Sequence, residues 1–243
     1  MHNIFFQFLI KTNAIFAKHS QKKMSSLKII QTADGSHTLY SEQHHAYYHS
    51  TNGALQESLH VFIKCGFDYL TLDEINILEV GFGTGLNAAL TASSAINKKQ
   101  KTKYTGIDLY PPDEDTLLRL NYKSVLNKED AEAWKNIISI KWGAENRIND
   151  FFLLKKIKAD FADLNLTDNF HLIYFDAFAP DDQPEMWTLK VFEKLYQATA
   201  SNGVLVTYCS KGIVKQALRE AGYIVERLSG PPGKRHIIRA IKR

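Results

Sequence analysis

The sequence predicts an α/β protein built on a doubly wound, mostly parallel sheet of seven strands, with an N-terminal β-hairpin and helix extension. From residue 75 onward, short apolar segments typical of buried strands alternate with longer segments of helical character. This alternation is the pattern of a parallel sheet covered by helices. The chain then closes on two strand-like segments around a Gly-Pro-Pro-Gly loop, which places one antiparallel strand in the sheet.

The chain has 243 residues, enough for one such domain with a smaller attached unit. We divide it into an N-terminal extension (1–24), a small cap (25–74) and the main α/β domain (75–243). Residues 1–23 are apolar and basic, but the apolar run is too short to cross a membrane, and no charge precedes it as in a signal peptide. We favour an upstream extension with a natural start at Met24, and a docked amphipathic helix is the alternative.

The cap is predicted to be a hairpin followed by a helix. The segment LKIIQTADGSHTLYS contains two strands around Asp34-Gly35, a strong hairpin signal. The segment after it has apolar residues at helical spacing and ends at Gly66. This unit is too small to have a hydrophobic core of its own.

The main domain is predicted to alternate five strands with five helices before the closing hairpin. The predicted strands are INILEVG, KYTGIDLYP, ISIKWG, HLIYFDAF and GVLVTYC. The predicted helices are TGLNAALTASSAI, PDEDTLLRLNYKSVL, ENRINDFFLLKKI, PEMWTLKVFEKLYQAT and KGIVKQALREAG. The closing strand pair lies in YIVERLSGPPGKRHIIRAIKR.

A glycine-rich loop follows the first strand of the main domain. Gly81, Gly83 and Gly85 precede a helix, at the edge where open α/β sheets bind ligands. Their spacing is GxGxG rather than the GxGxxG of dinucleotide folds. Glu79, before the loop, suits a ligand with a cationic amine, and Asp108, at the end of the second strand, can hold ribose hydroxyls. Together these residues predict a site for S-adenosylmethionine (SAM); tight-turn glycines and solvated acids are the alternative.

Asp176 follows the apolar run of the fourth strand directly. A carboxylate at the mouth of an apolar strand is costly unless it has a partner. Its position at the ligand edge of the sheet predicts a functional acid, and a cap on the following turn is the alternative. Asp181 and Asp182, a few residues later, are better candidates for capping and surface roles.

Charge and cysteine usage narrow the class of protein further. The net charge is +4, and residues 211–243 contain nine of the basic side chains against two acids. This basic end predicts either a phosphate-rich partner or a solvated charged face. The two cysteines are far apart and form no CxxC, as expected of packed, reduced thiols in a cytoplasmic protein. No His or Cys spacing predicts a metal site.

The chain resembles the methyltransferase domain of MnmC-type tRNA-modifying enzymes from Leu27 to Ile238. The matching segments are DGSHTLYSEQHHAYYHSTNGALQESLHVFI, ILEVGFGTGLNAALT, YFDAFAPDDQPEMWT and GYIVERLSGPPGKRHII. The resemblance implies a class I methyltransferase fold, SAM as cofactor and tRNA as partner. The expected reaction is methylation of the primary amine of 5-aminomethyl-2-thiouridine at the wobble position. Bifunctional members also carry an oxidoreductase domain; since this chain ends at Arg243, we expect the stand-alone form.

The resemblance also assigns roles to individual residues. It implies cofactor contacts for the Glu79 to Gly85 loop and for Asp108. It implies that Asp176 holds the acceptor amine and that Phe178 stacks on the uracil or shields the site from water. Related sequences show Gly-Asp after the third strand, near the adenine amine, where this chain has Ala144, so Glu145 or a backbone amide is expected to substitute.

Substrate contacts are predicted outside the sheet. Tyr48, before the cap helix, matches a segment that roofs the pocket, with hairpin packing as the alternative. Lys234 and Arg235, in the last hairpin loop, are predicted to contact tRNA phosphates. Two other functions remain open on the residues alone: an aminopropyltransferase of the spermidine-synthase type, and a non-catalytic RNA-binding module with the same fold.

Overall fold

The computed structural model describes residues 27–243, so the predicted extension (1–24) lies outside the described residues. The cap begins with a three-stranded antiparallel sheet in the order β1-β2-β3. Its strands are β1 (Leu27–Gln31), β2 (His37–Ser41) and β3 (Ala46–Tyr47). The β1–β2 hairpin turns through Asp34 and Gly35, as predicted, because the Asp34 carboxylate accepts from the Ser36 amide at 3.0 Å and Gly35 takes a positive φ of 85°.

The main sheet has eight strands in the order β10-β11-β9-β8-β4-β5-β7-β6. Five of them (β4, β5, β7, β8 and β9) run parallel, and β6 and β11 run antiparallel to their neighbours. The strands are β4 (Glu74–Val80), β5 (Lys101–Asp108), β6 (Glu145–Asn149), β7 (Phe152–Lys158), β8 (Phe170–Phe175), β9 (Thr199–Thr207), β10 (Ile224–Ser229) and β11 (His236–Ile241). The predicted doubly wound, mostly parallel α/β class is therefore confirmed.

Seven α-helices connect and cover these strands within residues 27–243. They are α1 (Ala54–Ser58), α2 (Leu86–Lys98), α3 (Glu114–Leu118), α4 (Tyr122–Val125), α5 (Lys128–Ser139), α6 (Leu189–Ala198) and α7 (Gly212–Glu220). A π-helical segment (Leu59–Lys64) continues α1, and 3₁₀ turns occupy Phe67–Tyr69, Phe161–Asp163 and Pro184–Trp187. The cap shares one hydrophobic core with the main sheet, where the Phe62 ring packs 5.1 Å from the ring of Tyr174 on β8.

The prediction was wrong between residues 138 and 157, and the sheet has one strand more than the seven predicted. The segment ISIKWG is not a strand, because Ile137 and Ile138 complete the buried face of α5 together with Trp134. The predicted helix ENRINDFFLLKKI is instead the β6–β7 hairpin. Side chains along β7 alternate between buried and exposed, which is the period of a strand.

A buried lysine helps to fix this arrangement. Lys156 on β7 is 2 % exposed, and its ammonium donates to the Ile137 carbonyl at 2.9 Å, at the end of α5. It also lies 5.1 Å from the centre of the Trp142 ring. A cation at the carboxyl end of a helix is favourable, so Lys156 ties α5 to the third parallel strand. Burial lowers the pKa of Lys156 to about 8.

Strand register brings the predicted site residues together. Val80 at the end of β4 pairs with Ile107 on β5 on one side and with Phe175 on β8 on the other. The residues that follow these three positions are Gly81, Asp108 and Asp176. The glycine loop therefore lies between the two strand-end acids.

Candidate active site

A cavity of about 280 Å³ opens at the carboxyl ends of the parallel strands. It is lined by the loops after β4, β5, β7 and β8 and is roofed by the cap. Of the predicted site residues, those that line it are Tyr48, Gly81, Gly83, Asp108, Asp176 and Phe178. Gly85 and Glu79 lie outside the lining, and Glu145, Lys234 and Arg235 are absent from it too.

The glycine loop is held close to both neighbouring strands. The amides of Gly81 and Phe82 both donate to the Ile107 carbonyl, at 3.0 and 3.1 Å. Gly81, Gly83 and Gly85 all have positive φ angles, of 92°, 52° and 73°. A Cβ atom on Gly81 would lie 2.4 Å from the Asp176 carbonyl oxygen, so the loop passes the β8 end at a distance that only glycine allows.

Asp108 is fixed by this loop. Its Oδ2 accepts from the Gly83 amide at 2.8 Å, and its Oδ1 accepts from the Tyr110 amide at 2.9 Å. Burial raises the pKa of Asp108, while these two amides and Lys158 oppose the shift. A carboxylate has about four lone-pair sites, so both oxygens keep capacity for the ribose hydroxyls predicted from the sequence.

Asn87 links two acids at the site. Its amide nitrogen donates to Glu79 Oε1 and to Asp176 Oδ2, each at 2.9 Å. Glu79 is fully buried behind Asn87, and burial raises its pKa well above the ordinary range despite the Asn87 hydrogen bond. Glu79 Oε2 and the Tyr104 hydroxyl make no hydrogen bond of good geometry, although the hydroxyl is close enough to lower the pKa of Glu79. Sequence reasoning missed Asn87, since one amide on a helix carries no signal by itself.

Asp176 stands at the floor of the cavity, partly exposed. Its amide donates to the Val80 carbonyl at 2.9 Å, which continues the β4–β8 pairing by one residue. Burial, followed by the charge of Glu57, raises the pKa of Asp176 to about 8. The Asn87 hydrogen bond and the charge of Lys234 act in the opposite direction. A pKa of about 8 would allow this carboxyl group to gain or lose a proton close to neutral pH.

Aromatic rings from the cap and from the loop after β8 also line the cavity. Phe178 stacks on His44 with ring centres 4.9 Å apart, and Tyr48 meets Phe178 edge-on at 5.1 Å. The Phe178 carbonyl accepts from the Trp187 indole at 2.7 Å, and the Ala177 carbonyl accepts from the Tyr208 hydroxyl at 2.9 Å. The Ala177 carbonyl therefore already has one donor, and the Trp187 indole helps to fix the loop after β8.

Glu145 was predicted to contact the cofactor, but the structure places it away from the cavity. It is exposed on the edge strand β6 and does not line the cavity. The third parallel strand is β7, so the loop that reaches the cavity is Ala159 to Phe161, and the acid that this loop contributes to the lining is Asp160. Its Oδ1 accepts from the Ala162 amide at 2.9 Å. Reading residues 152–158 as a strand would have found it.

The two predicted phosphate contacts differ in placement. Arg235 is exposed. Lys234 instead turns inward and forms an ion pair with Glu57, which is 5 % exposed. Of the nine basic side chains in residues 211–243, Lys234 and three others have partners within the chain. Lys211 pairs with Asp181 and Arg239 with Glu226, while Lys242 donates to backbone carbonyls.

Residues 27–243 contain neither a candidate metal site nor a helix suited to cross a membrane. No group of three or more His, Cys, Asp or Glu side chains in this range could hold a metal ion. No helix in the same range is long and apolar enough to cross a membrane. Cys65 and Cys209 are both free thiols.

Comparisons with known proteins agree with this geometry. A family described as S-adenosyl-L-methionine-dependent methyltransferase matches residues 127–243. The bifunctional tRNA 5-methylaminomethyl-2-thiouridine biosynthesis protein MnmC is 28 % identical in Campylobacter fetus and 29 % identical in Burkholderia mallei, over 83 % and 79 % of this chain. An uncharacterized protein of Methanocaldococcus jannaschii is 26 % identical over 88 % of the chain. The chain spans 59 % of the length of this last relative and about a third of the MnmC proteins (34 % and 32 %).

Among solved structures, MnmC2 from Aquifex aeolicus has a TM-score of 0.75 at 23 % identity, over 98 % of this chain and 82 % of that one. Spermidine synthase from Thermotoga maritima has a TM-score of 0.56 at 10 % identity, over 91 % of this chain and 70 % of that one. At these identities both show a shared fold alone.

The fold, the glycine loop and the strand-end acids define a SAM-dependent methyltransferase. The cradle fits SAM, because the backbone of Gly81 and Gly83 lines the cavity beside Asp108 and Asp176, whose carboxyl groups suit ribose hydroxyls and a cationic sulfonium. When bound, SAM supplies an electrophilic methyl group. Over about four fifths of its length the chain is similar to the MnmC proteins, as its sequence motifs predicted.

We expect Asp160 rather than Glu145 to contribute to cofactor affinity. Asp160→Asn keeps Oδ1 for the Ala162 amide but replaces the other oxygen by an NH₂ group that cannot accept from an adenine amine. Loss of one hydrogen bond to a charged group (about 1.5–3 kcal/mol) should raise the Kd for SAM by about tenfold or more. Titration calorimetry measures this, with Glu145→Gln as the control expected to bind like the wild type. Equal affinities for all three proteins would contradict the assignment.

Proposed function

We propose that this protein transfers a methyl group from SAM to the primary amine of 5-aminomethyl-2-thiouridine at the tRNA wobble position, giving 5-methylaminomethyl-2-thiouridine. The observation that carries the proposal is Asp176, a carboxyl group with a pKa raised to about 8 that directly adjoins the glycine loop. The similarity to MnmC proteins, whose name specifies this tRNA product, supports the choice of substrate.

In this proposal, Asp176 removes the proton that keeps the acceptor amine from reacting. An alkyl amine is mostly protonated at neutral pH, and an ammonium has no lone pair with which to attack a methyl group. A carboxylate whose pKa lies near the operating pH can take that proton and then hold the neutral amine by a hydrogen bond. Asn87 fixes the carboxylate orientation, since it donates to Oδ2 at 2.9 Å and leaves Oδ1 for the amine.

The aromatic side of the cavity suits the base that carries the amine. Phe178, His44 and Tyr48 form a partly exposed cluster of rings that lines the same cavity as Asp176. Stacking of a base on such rings contributes about 1–3 kcal/mol. In this proposal the rings position the uracil and exclude water from the amine. Arg235, which is exposed, is assigned to a tRNA phosphate, whereas Lys234 has its partner inside the protein.

The aminopropyltransferase alternative has the acidic wall in its favour, because acids also suit a polyamine. Its other support is a shared fold with the spermidine synthase. A basic C-terminal end would repel a polyamine, but several of its cations are paired within the chain, so the two functions need a direct assay.

The test incubates the purified protein with methyl-labelled SAM and tRNA that carries 5-aminomethyl-2-thiouridine, followed by digestion to nucleosides. Label in 5-methylaminomethyl-2-thiouridine is the expected result. A parallel reaction contains putrescine and decarboxylated SAM. Product in that reaction alone would establish the alternative, and absence of label from tRNA known to carry the free amine would rule out the proposed function.

A further inference from the structure

A second charged cluster lies beside the acceptor site, between the cap and the last hairpin. Glu57 on α1 accepts from the Ser50 amide at 2.8 Å through Oε2, and its Oε1 pairs with the Lys234 ammonium. The side chain of Lys234 is 25 % exposed and that of Glu57 only 6 %. A buried ion pair of this kind is a weak source of stability, because desolvation offsets the attraction between the charges. Stability alone therefore does not explain why this ion pair is buried beside the acceptor site.

The loop that carries Lys234 is shaped to deliver the side chain inward. The Lys234 amide donates to the Pro231 carbonyl at 2.9 Å, and the Gly230 amide donates to the Arg235 carbonyl at 3.2 Å. Gly233 lies so close to the cap that a Cβ atom there would meet the Asn52 side chain at 2.2 Å. The ammonium rests 3.9 Å from the centre of the Tyr208 ring. Lys234 is therefore held in one place by the loop, the cap and an aromatic face.

This cluster reaches Asp176 in two ways. Tyr208, under the Lys234 ammonium, donates its hydroxyl to the Ala177 carbonyl, one residue after Asp176. The charges also act through space, since Glu57 raises the pKa of Asp176 and Lys234 lowers it. The groups that act on Asp176 or lie beside this pair are Glu79 on β4, Tyr104 on β5, Tyr208 after β9, Asn87 on α2, His49 in the cap, Glu57 and Lys234.

We propose that Glu57 and Lys234 are a pair of positioning residues that joins the cap to the last hairpin and acts on the Asp176 carboxyl group through Tyr208 and through their opposite charges. Neither residue lines the cavity, so both act through Asp176 and Tyr208. The two charges oppose each other at Asp176, because Glu57 raises the pKa of its carboxyl group and Lys234 lowers it. The catalytic meaning of this control rests on the proposed function, but the electrostatic coupling does not.

Because the two residues carry opposite charges, removing one or the other should shift the pKa of Asp176 in opposite directions. Removing the positive charge in Lys234→Met should raise the midpoint of Asp176 titration by about one pH unit or more. Removing the negative charge in Glu57→Gln should lower it. If the pair only holds the hairpin against the cap, both variants should be less stable, but the Asp176 midpoint should not move in opposite directions. Lys234→Arg keeps the charge and should stay close to the wild type.

The experiment follows the ¹³C carboxyl resonance of Asp176 in protein labelled on aspartate side chains, from pH 5 to 10, with the resonance assigned by its loss in Asp176→Asn. His49 stays neutral across this range, because burial lowers its pKa to about 4. Arg235→Met, an exposed cation one residue away, is the matched control and should leave the midpoint unchanged. Unchanged midpoints in both pair variants, or shifts in the same direction, would overturn the proposal.

The double variant Glu57→Gln/Lys234→Met guards against misfolding, since it leaves no unpaired buried charge. Its midpoint should return close to that of the wild type. If Lys234→Met cannot be purified, Glu57→Gln decides alone, and an unshifted midpoint overturns the proposal. The titration uses neither SAM nor tRNA. Opposed shifts together with a negative tRNA assay would therefore remove the proposed function and leave the coupling standing.

Discussion

Asp176→Asn should lower the rate of methyl transfer by about 10²- to 10⁴-fold, the range supplied by a positioned general base. The amide is nearly the same size as the carboxyl group and can still accept from Asn87, so the fold and the cavity should persist. What it lacks is a site for the proton of the acceptor amine. Single-turnover kinetics with labelled SAM and aminomethylated tRNA measure the loss.

Asp182→Asn is the matched control, because Asp182 is an exposed acid six residues later that does not line the cavity. It should react like the wild type. SAM affinity, measured separately by calorimetry, tells a loss of chemistry from a loss of cofactor. A rate for Asp176→Asn within a fewfold of the wild type would show that another group takes the proton.

The raised pKa of Asp176 also fixes the sign of two pH dependences. Because the carboxylate is the reactive form, kcat/KM should rise with pH through the region near pH 8. Stability should change the other way. The folded pKa of about 8 lies above the ordinary value of 3.8, so the folded protein binds the proton more tightly than the unfolded chain. The stabilising contribution is complete below pH 3.8 and is lost as pH rises through about 8.

Asp176→Asn should consequently unfold at a higher temperature than the wild type at pH 9, with a difference that shrinks toward pH 4. The gain reflects relief of a buried charge, about 1–3 kcal/mol by analogy with other buried polar groups. A variant that is both inactive and more stable would mark Asp176 as a residue kept for chemistry. Equal melting temperatures at pH 9 would show that the carboxylate is well solvated in the unliganded protein.

Sequence patterns were most informative where one strand ends in a loop. The apolar run before Asp176 and the glycines after β4 placed both features at the same sheet edge, because parallel strands align their ends. They failed between residues 138 and 157, where a helix end and a hairpin have similar apolar content. That error moved the third strand by more than ten residues and put Glu145 where Asp160 lies.

Sequence patterns did not predict contacts between distant segments of the chain. Asn87 bridges two acids from a helix position that looks like any other, and Glu57 meets Lys234 across 177 residues of chain. The sequence marked Lys234 as a surface cation because its neighbours are basic and its loop is rich in glycine and proline. The direction in which a side chain points depends on the packing of the loop against the cap, which only the fold defines.

Gly81→Ala should abolish detectable SAM binding and destabilise the protein. The φ angle at Gly81 is 92°, a conformation that costs a residue with a Cβ atom about 1–3 kcal/mol. The new methyl group would in addition lie 2.4 Å from the Asp176 carbonyl oxygen, so one of the two strand-end loops must shift. Either shift separates the cofactor cradle from the acceptor acid. Calorimetry with SAM and thermal unfolding measure the two effects.

Gly143→Ala separates backbone strain from the close approach. Gly143 has nearly the same φ angle, 94°, but a Cβ atom there meets nothing within 4 Å, and the residue does not line the cavity. It should therefore lose stability through strain alone and bind SAM with wild-type affinity. If Gly81→Ala loses no more stability than Gly143→Ala and still binds SAM, the loop after β4 has room to move away from β8. In that case, the contact between the glycine loop and Asp176 would not be needed to keep the cofactor cradle next to the acceptor acid.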